Sequence, residues 1–374
     1  MTRGRFRVNA RGWVFLALAL SVAFAAGLKG NNLLFAVFSV LFGLFAASGI
    51  LTVLVARKIE ASRVLPEAVT AGEVFTVGLR FRNAARLVPA FCLRFEDRLT
   101  YEGRPAPLQP TPVWLPSARP GERVRASYFA TAHQRGWARL GPFTVVSEFF
   151  PGFFTWTRVL PAEDPLLVLP RCGVLNRRIV NTCMARIDYS DATPTAYLHG
   201  NEEFASLREY RPGDSPRRIH WKMSARLQGK LLVREFEDAQ VRDAVVLLET
   251  FVPNPADARR RMRLERAVTF AATLAEALVA ENYRVRFRAF TPDPLTLGIE
   301  PHRGALDEFL YELAVLKPTR THTLADLLAA EESGGRDVYF VLRIGHEPLP
   351  PSEALRRAMV VDTADMRSLM HVPS

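Results

Sequence analysis

Asp214, His220 and Glu249 are the residues of this 374-residue chain whose types could support general acid–base chemistry. A hydrolase acting on envelope material could use them if they converged in one cleft within hydrogen-bond reach of a substrate. The spacing of the remaining groups adds little to that idea. His133, His199, His302, His322, His346 and His371 are scattered, with neither an HExxH nor an HxH pattern. The carboxylates of Glu202-Glu203 and of Glu331-Glu332 are adjacent in sequence and point apart, as solvated or ion-paired faces do. Glycine-rich phosphate loops of the P-loop or dinucleotide type are not found. Cys92, Cys172 and Cys183 fall at spacings that suggest neither a zinc site nor a disulfide framework, and they read as buried thiols in a reducing compartment. No catalytic residue, metal ligand or cofactor is assigned on these grounds, and an enzyme is the second choice.

Asp214 and His220 sit inside a stretch that packs eight basic residues between Arg208 and Arg234 and scatters acids among them. Phe204, Leu207 and Tyr210 precede Pro212-Gly213-Asp214, a turn signature in which proline presets φ and glycine accepts a positive φ. Ser215 offers an N-cap and Pro216 suits a first helical position. The next ten residues are expected to form a short helix, with Ile219 and Met223 stacked at i, i+4 and Arg217 over Trp221. Gly229 ends it, and Leu231–Glu237 reads as a strand. Two readings compete for the charges. In one, Arg208, Arg211, Arg217 and Arg226 pair with Glu202, Glu203, Glu209 and Asp214 and lock the segment in place. In the other, some arginines and Trp221 stay exposed as a surface for a protein partner, because Arg and Trp are favoured interface anchors. Interleaved acids would repel phosphate, so nucleic-acid binding is not expected.

The elements that must position this segment differ sharply along the chain. Residues 1–56 hold Arg3, Arg5, Arg7, Arg11 and Lys29, no acid, and the apolar runs Trp13–Leu28 and Leu33–Ala56. Each run approaches the roughly 20 residues needed to cross a bilayer. Only Lys29-Gly30-Asn31-Asn32 separates them, which implies a membrane hairpin. Arginines before the first run and Arg57-Lys58 after the second place both ends on the cytoplasmic side. Ala23-Phe24-Ala25 would suit a cleaved signal, but the second apolar run argues against that. These residues carry five of the eleven net positive charges, leaving the rest of the chain only mildly basic.

Residues 57–170 alternate with period two, as in Phe75–Arg82, Phe91–Glu96 and Val124–Tyr128, and predict a β-sandwich or barrel of six to eight antiparallel strands. Prolines 105, 107, 110, 112, 116 and 120 exclude regular structure between two of them. Residues 171–240 form the junction. From residue 241 strands and helices alternate: Ala244–Leu248, Tyr283–Phe290, Val338–Leu342 and Ala358–Val361 read as strands, and Arg259–Glu281, Ala305–Leu316 and Leu324–Ala330 as helices. That pattern predicts a small open α/β sheet over 241–374, mostly parallel. The chain is therefore an α+β multidomain protein.

The run Glu202-Glu-Phe-x-x-Leu-Arg-Glu-Tyr-x-x-Gly-Asp-x-x-Arg-Arg-Ile-His-Trp-Lys-x-Ser-Ala-Arg226, followed by Lys-Leu-x-Val-Arg-Glu-Phe-Glu237, resembles the signature of the DUF58 family. The Asn31-Asn32-Leu-Leu-Phe segment and Arg135-Gly136…Leu140-Gly141-Pro142 fit the same family, while Pro151-Gly152-Phe153-Phe154 departs from its usual turn. The resemblance implies a two-pass protein of the bacterial inner membrane with cytoplasmic soluble domains and a C-terminal part similar to a von Willebrand factor type A domain. Such proteins are often encoded beside MoxR-type AAA+ ATPases. A type A domain holds Mg²⁺ on an Asp-x-Ser-x-Ser loop, and that position reads Glu249-Thr250-Phe251-Val252-Pro253 here, so metal binding is not expected. The expected role is a non-enzymatic adaptor or scaffold, with Arg208, Tyr210, Gly213, Asp214, Arg217, Ile219, Trp221 and Arg226 as the motif that binds a partner or shapes the junction. The partner implied is a MoxR-type ATPase; the sequence leaves the oligomeric state open.

Overall fold

The computed structural model describes residues 4–86, 89–101, 104–106, 110–176, 202–211, 219–226, 231–238, 242–300, 304–331, 337–349, 351, 355 and 358–372. The chain divides into two compact units, Met1–Arg171 with Leu310–Val315 and Cys172–Phe309 with Leu316–Ser374.

The first unit opens with strand β1 (Arg5–Val8) and helices α1 (Ala10–Lys29) and α2 (Asn32–Arg57). Gly30 ends α1 in the left-handed region at φ 57°, and the Asn31 side chain caps α2 by accepting the Leu33 N–H at 2.9 Å. Both helices are long and apolar enough to cross a membrane. Leu18, Phe24, Leu28, Leu33, Val40 and Ile50 are all exposed along them, as lipid-facing side chains would be.

Strands β2 (Ile59–Val64), β3 (Ala68–Thr70), β4 (Val74–Asn83), β5 (Ala90–Glu96), β6 (Leu99–Tyr101), β7 (Arg104–Pro105), β8 (Val113–Ala118), β9 (Arg123–Thr131), β10 (Gly136–Leu140), β11 (Phe143–Ser147), β12 (Phe154–Leu160) and β13 (Asp164–Leu169) follow. They form three sheets, of order β1-β12-β11-β5-β8, β3-β13-β10-β6-β7 and β2-β4-β9. This exceeds the six to eight strands expected. Alternation positions β4 as predicted: Phe75, Val77, Leu79 and Phe81 enter the core, and Phe81 stacks on Phe95 at 3.9 Å between ring centroids.

Two expectations fail here. The proline-rich connection contains β7 and β8, with Pro116 inside β8; it is tolerated because β8 is an edge strand, where a missing N–H breaks no ladder on the open side. Cys92 is exposed, not buried. It lies opposite Pro116 at φ 51°, and the register skips that position, which turns its side chain out of the alternation.

One buried ionic knot ties this unit together. Arg63 binds Asp97 through Nε and Nη2, each at 2.7 Å, and Asp164 through Nη1 at 2.6 Å. Tyr128 donates its hydroxyl to Asp97 at 2.6 Å, and the Arg63 guanidinium lies 3.7 Å from the centre of the Phe143 ring. Arg63 and Asp97 side chains are 1% and 2% exposed, so these two charges are desolvated and paired, while Asp164 reaches Arg63 from a half-exposed position. Burial, helped by the Asp97 charge, pushes the Tyr128 phenol well above its ordinary range. Burial alone would lower the Arg63 pKa, but the hydrogen bonds and charges of Asp97 and Asp164 outweigh it and raise it.

The second unit starts with β14 (Val174–Leu175), the ribbon β15 (Glu202–Glu209), helix α3 (Trp221–Ser224) and β16 (Leu232–Asp238). Then come β17 (Arg242–Leu248), α4 (Ala258–Ala280), β18 (Tyr283–Phe290), β19 (Pro294–Ile299), α5 (Ala305–Val315, of which Leu310–Val315 counts with the first unit), α6 (Leu324–Ala329), β20 (Val338–Arg343), β21 (Ala358–Asp362), α7 (Thr363–Leu369) and β22 (Met370–His371). The large sheet has order β19-β18-β17-β20-β21. Its pairs are parallel except β18 with β19. Ala244 to Leu248 of the central strand are each 0% exposed, as a continuous apolar run covered on both faces requires. The predicted strands and helices of this region match within two residues at each end. β19, α7 and β22 add to them.

Candidate functional site

Two places carry the residues singled out from the sequence: the junction motif and the end of strand β17.

In the junction, β15 pairs antiparallel with β16, Arg208 opposite Val233 and Glu209 opposite Leu232. The expected ten-residue helix is a single turn, Trp221–Ser224, within the described residues. Its start is set by His220, whose Nδ1 accepts the Met223 N–H at 3.2 Å. Ile219 precedes the helix and bridges backbone-to-backbone with Val233, so Ile219 and Met223 do not stack as helical neighbours. Ile219 and Val233 are both buried. Ser224 completes the clamp: its Oγ donates to the His220 carbonyl at 3.0 Å and accepts the Leu232 N–H at 2.9 Å. The His220 N–H donates to the Leu232 carbonyl at 2.8 Å, and the Tyr210 N–H to Leu231 at 2.8 Å. His220 thus shapes the turn, a role the sequence did not reveal because a capping histidine has no distinctive spacing.

Trp221 follows that cap with 63% of its surface exposed, and Arg226 is exposed two residues past the helix. Tyr210 is half-buried. Gly213, Asp214 and Arg217 lie outside the described residues, as do the side chains of Arg208, Glu202 and Glu203; the expected ion pairs among them fall there.

Glu249 immediately follows β17, where β18 flanks that strand on one side and β20 on the other. Ligand sites of open α/β sheets form outside such a reversal of strand order. A cavity of about 160 Å³ opens there, lined by Phe251, Thr323, Leu324, Arg343 and Glu347 as well as Glu249. Glu249 is 4% exposed, and its Oε2 accepts the N–H groups of Ile344 at 2.8 Å and Gly345 at 3.0 Å. Its Oε1 takes Nη2 of Arg260 at 3.2 Å. Arg260 comes from the first turn of α4, which Asp257 caps by accepting the Arg260 N–H at 3.0 Å. Its other nitrogens reach the Phe251 carbonyl at 2.8 Å and Glu347 at 2.9 Å. The hydrogen bond from Arg260 holds the Glu347 carboxyl below its usual range. Thr250 donates its hydroxyl to the Phe290 carbonyl.

Both oxygen-bearing side chains of this strand end are therefore engaged within the protein, Glu249 by three donors and Thr250 as a donor. Among the described residues no group of three or more His, Cys, Asp or Glu is arranged to hold a metal. The sequence could not reveal Arg260, which is one of three consecutive arginines, Arg259 to Arg261, on a helix that reads simply as amphipathic.

No curated protein matches the chain. Among solved structures, the CARDB domain of a Pyrococcus furiosus protein aligns at 14% identity and a TM-score of 0.21, covering 30% of this chain and 94% of that one. A superoxide reductase (neelaredoxin) from Ignicoccus hospitalis aligns at 18% identity and 0.17, covering 29% and 78%. A β-glucosidase from Listeria innocua aligns at 14% and 0.21, covering 29% and 16%. Scores this low carry no argument about this chain. Residues 206–337, which include the Trp221 turn, Glu249 and Arg260, match the profile of a protein of unknown function, DUF58, and this is the family that the centre of the chain resembles.

Proposed function

We propose that the protein is a membrane-anchored, non-enzymatic adaptor that docks a cytoplasmic protein partner, a MoxR-type AAA+ ATPase on the strength of the family resemblance. The observation that carries this reading is Trp221, a large aromatic side chain held 63% exposed on a turn whose backbone is fixed by His220 and Ser224. An exposed tryptophan on a hydrogen-bonded turn, with an exposed arginine five residues on, has the makeup of an interface anchor. Binding of the purified ATPase to the protein in nanodiscs, with and without W221A/R226A, tests it.

In this reading α1 and α2 form a two-pass anchor in the bacterial inner membrane. Support comes from β1, which precedes α1 yet pairs with β12, Arg5 opposite Thr157 through Val8 opposite Phe154. The chain on the two sides of the hairpin thus belongs to one sheet, and Arg5, Arg7, Arg11 and Lys58 favour the cytoplasmic face for it. The C-terminal sheet then corresponds to a von Willebrand factor type A-like domain in which Arg260 supplies to Glu249 the positive charge that a cation supplies elsewhere. A hydrolase built on Asp214, His220 and Glu249 is less favoured, because His220 Nδ1 is spent on a cap and Glu249 on three donors.

A further inference from the structure

The connection between β11 and β12, Glu148–Phe153, reaches back along both long helices. Phe153 is buried against them, its ring 4.3 Å from Phe15 and 5.7 Å from Phe45. Gly12 of α1 lies so close to the Phe153 carbonyl that a Cβ there would come within 2.5 Å of the oxygen. Ser48 of α2 meets the Phe150 carbonyl at 3.5 Å. Phe150 itself projects away, 79% exposed, more than any other large apolar residue of the described chain.

The depth of this contact follows from helix geometry. Counted from the polar turn at Lys29–Asn32, a rise of 1.5 Å per residue puts Gly12 at about 26 Å and Ser48 at about 24 Å. The hydrocarbon core is about 30 Å thick, so both points fall inside it by roughly 5 Å when the turn marks the far boundary. Helix tilt would bring them deeper.

Four carbonyls of the segment also have partners within the protein. The Phe149 carbonyl accepts the Gly152 N–H at 2.7 Å, and the Phe153 carbonyl accepts the Asn9 N–H at 2.9 Å. The Gly152 carbonyl accepts Asn9 Nδ2 at 3.0 Å, and the Phe150 carbonyl faces the Ser48 hydroxyl. Residue 151 is proline and has no N–H to satisfy. Irregular backbone at membrane depth needs such internal partners, whereas a solvent loop does not. Arg11, exposed beside Gly152, can extend its guanidinium to the phosphate level.

We infer that the apolar part of this segment, Phe149–Phe153, is a membrane-inserted wedge, with Phe150 embedded among lipid chains at the cytoplasmic boundary and the exposed Glu148 on its watery side, so that the β-sheet unit is held against the bilayer by a third contact besides its two helices. The inference rests on α1 and α2 crossing the membrane, and its test separates the two.

The native cysteines are replaced by serine and single cysteines introduced as F150C, as V40C in mid-span and as F129C on an exposed strand. Each carries an environment-sensitive fluorophore in nanodiscs of zwitterionic and anionic phospholipid. The expected result is that the label at 150 is quenched several-fold more by shallow nitroxide lipids than by aqueous iodide, with the label at 129 showing the reverse. A label at 150 that behaves like the one at 129, while the label at 40 is quenched from lipid, overturns the wedge alone. A label at 40 open to iodide overturns the spanning helices and the wedge with them.

Discussion

Glu249 and Arg260 form a closed ion pair, 3.2 Å apart, at the carboxyl end of the central strand, with the glutamate 4% and the arginine 15% exposed. Gly345 is part of the closure. A Cβ on it would lie 1.9 Å from Glu347 Oε2 and 2.9 Å from Glu249 Oε1, so a larger residue would have to push the charged side-chain ends aside. The pair constrains the local chemistry: two backbone donors and a guanidinium take three of the roughly four acceptor positions of the Glu249 carboxylate and stabilise its charged form, which disfavours proton uptake by a base.

Removing Arg260 should therefore leave a buried, uncompensated carboxylate. R260A is expected to destabilise the second unit by about 3 kcal/mol, and E249Q/R260M by much less, since truncating one partner costs more than replacing both. Thermal or denaturant unfolding followed by a probe in that unit measures this. Equal loss in the single and double variants would contradict the pairing.

The Arg260–Glu347 contact gives a pH dependence of definite sign. Glu347 is held below its unfolded value by its hydrogen bond to Arg260. Between its folded and unfolded pKa values the unfolded chain binds more protons, so the contribution is complete above the unfolded pKa and vanishes as pH falls through the folded one. Glu347 is 59% exposed, so the effect is small, on the order of 0.5 kcal/mol. E347Q should melt slightly below the parent protein at neutral pH and coincide with it in acid; a gap that widens in acid would refute the assignment.

Arg63 and Asp97 make the corresponding lock in the first unit. R63A should cost about 3–5 kcal/mol, because Asp97 would stay buried without its partner. Y128F removes one neutral donor and should cost about 1–2 kcal/mol. Melting of the protein in detergent ranks the two, and a loss from Y128F as large as that from R63A would show that the ion pair is not the main element.

The outer face of β4 and β9 sets like charges opposite each other, Arg80 facing Arg125 and Arg82 facing Arg123. Of these only Arg82 has an acidic partner among the described residues, Glu60 at 3.6 Å. Directly opposed like charges destabilise a sheet, so R125E should stabilise the unit by roughly 0.5–1 kcal/mol. Unchanged or lowered melting would indicate that these arginines are already neutralised by something outside the chain.

Legibility in the sequence followed the physics of each region. Four strands of the large sheet, β17, β18, β20 and β21, and the long helix Ala258–Ala280 are readable, because short β-rich apolar runs and a long apolar stripe separate by length; β19 is not, since its residues are mostly exposed or half-buried. β8 was hidden by Pro116, whose cost vanishes only at an edge that sequence does not identify. The Trp221 turn was overestimated as a helix, since Ser215-Pro216 is a start signal, while the Ile219–Val233 bridge that delays the start is a long-range pairing. Glu249 was visible as a strand-end acid, but its neutralisation by Arg260, by Ile344 and by Gly345 depends on contacts up to 96 positions away.

The adaptor reading is tested most directly by the affinity of a purified MoxR-type ATPase from the same cell for the protein in nanodiscs. Trp and Arg anchors typically contribute 1–2 kcal/mol or more each, so W221A/R226A should weaken binding by at least about tenfold while leaving the melting of the protein unchanged. Binding of equal strength in the double variant would contradict the role of the turn, and absence of binding to the parent protein would contradict the proposed partner.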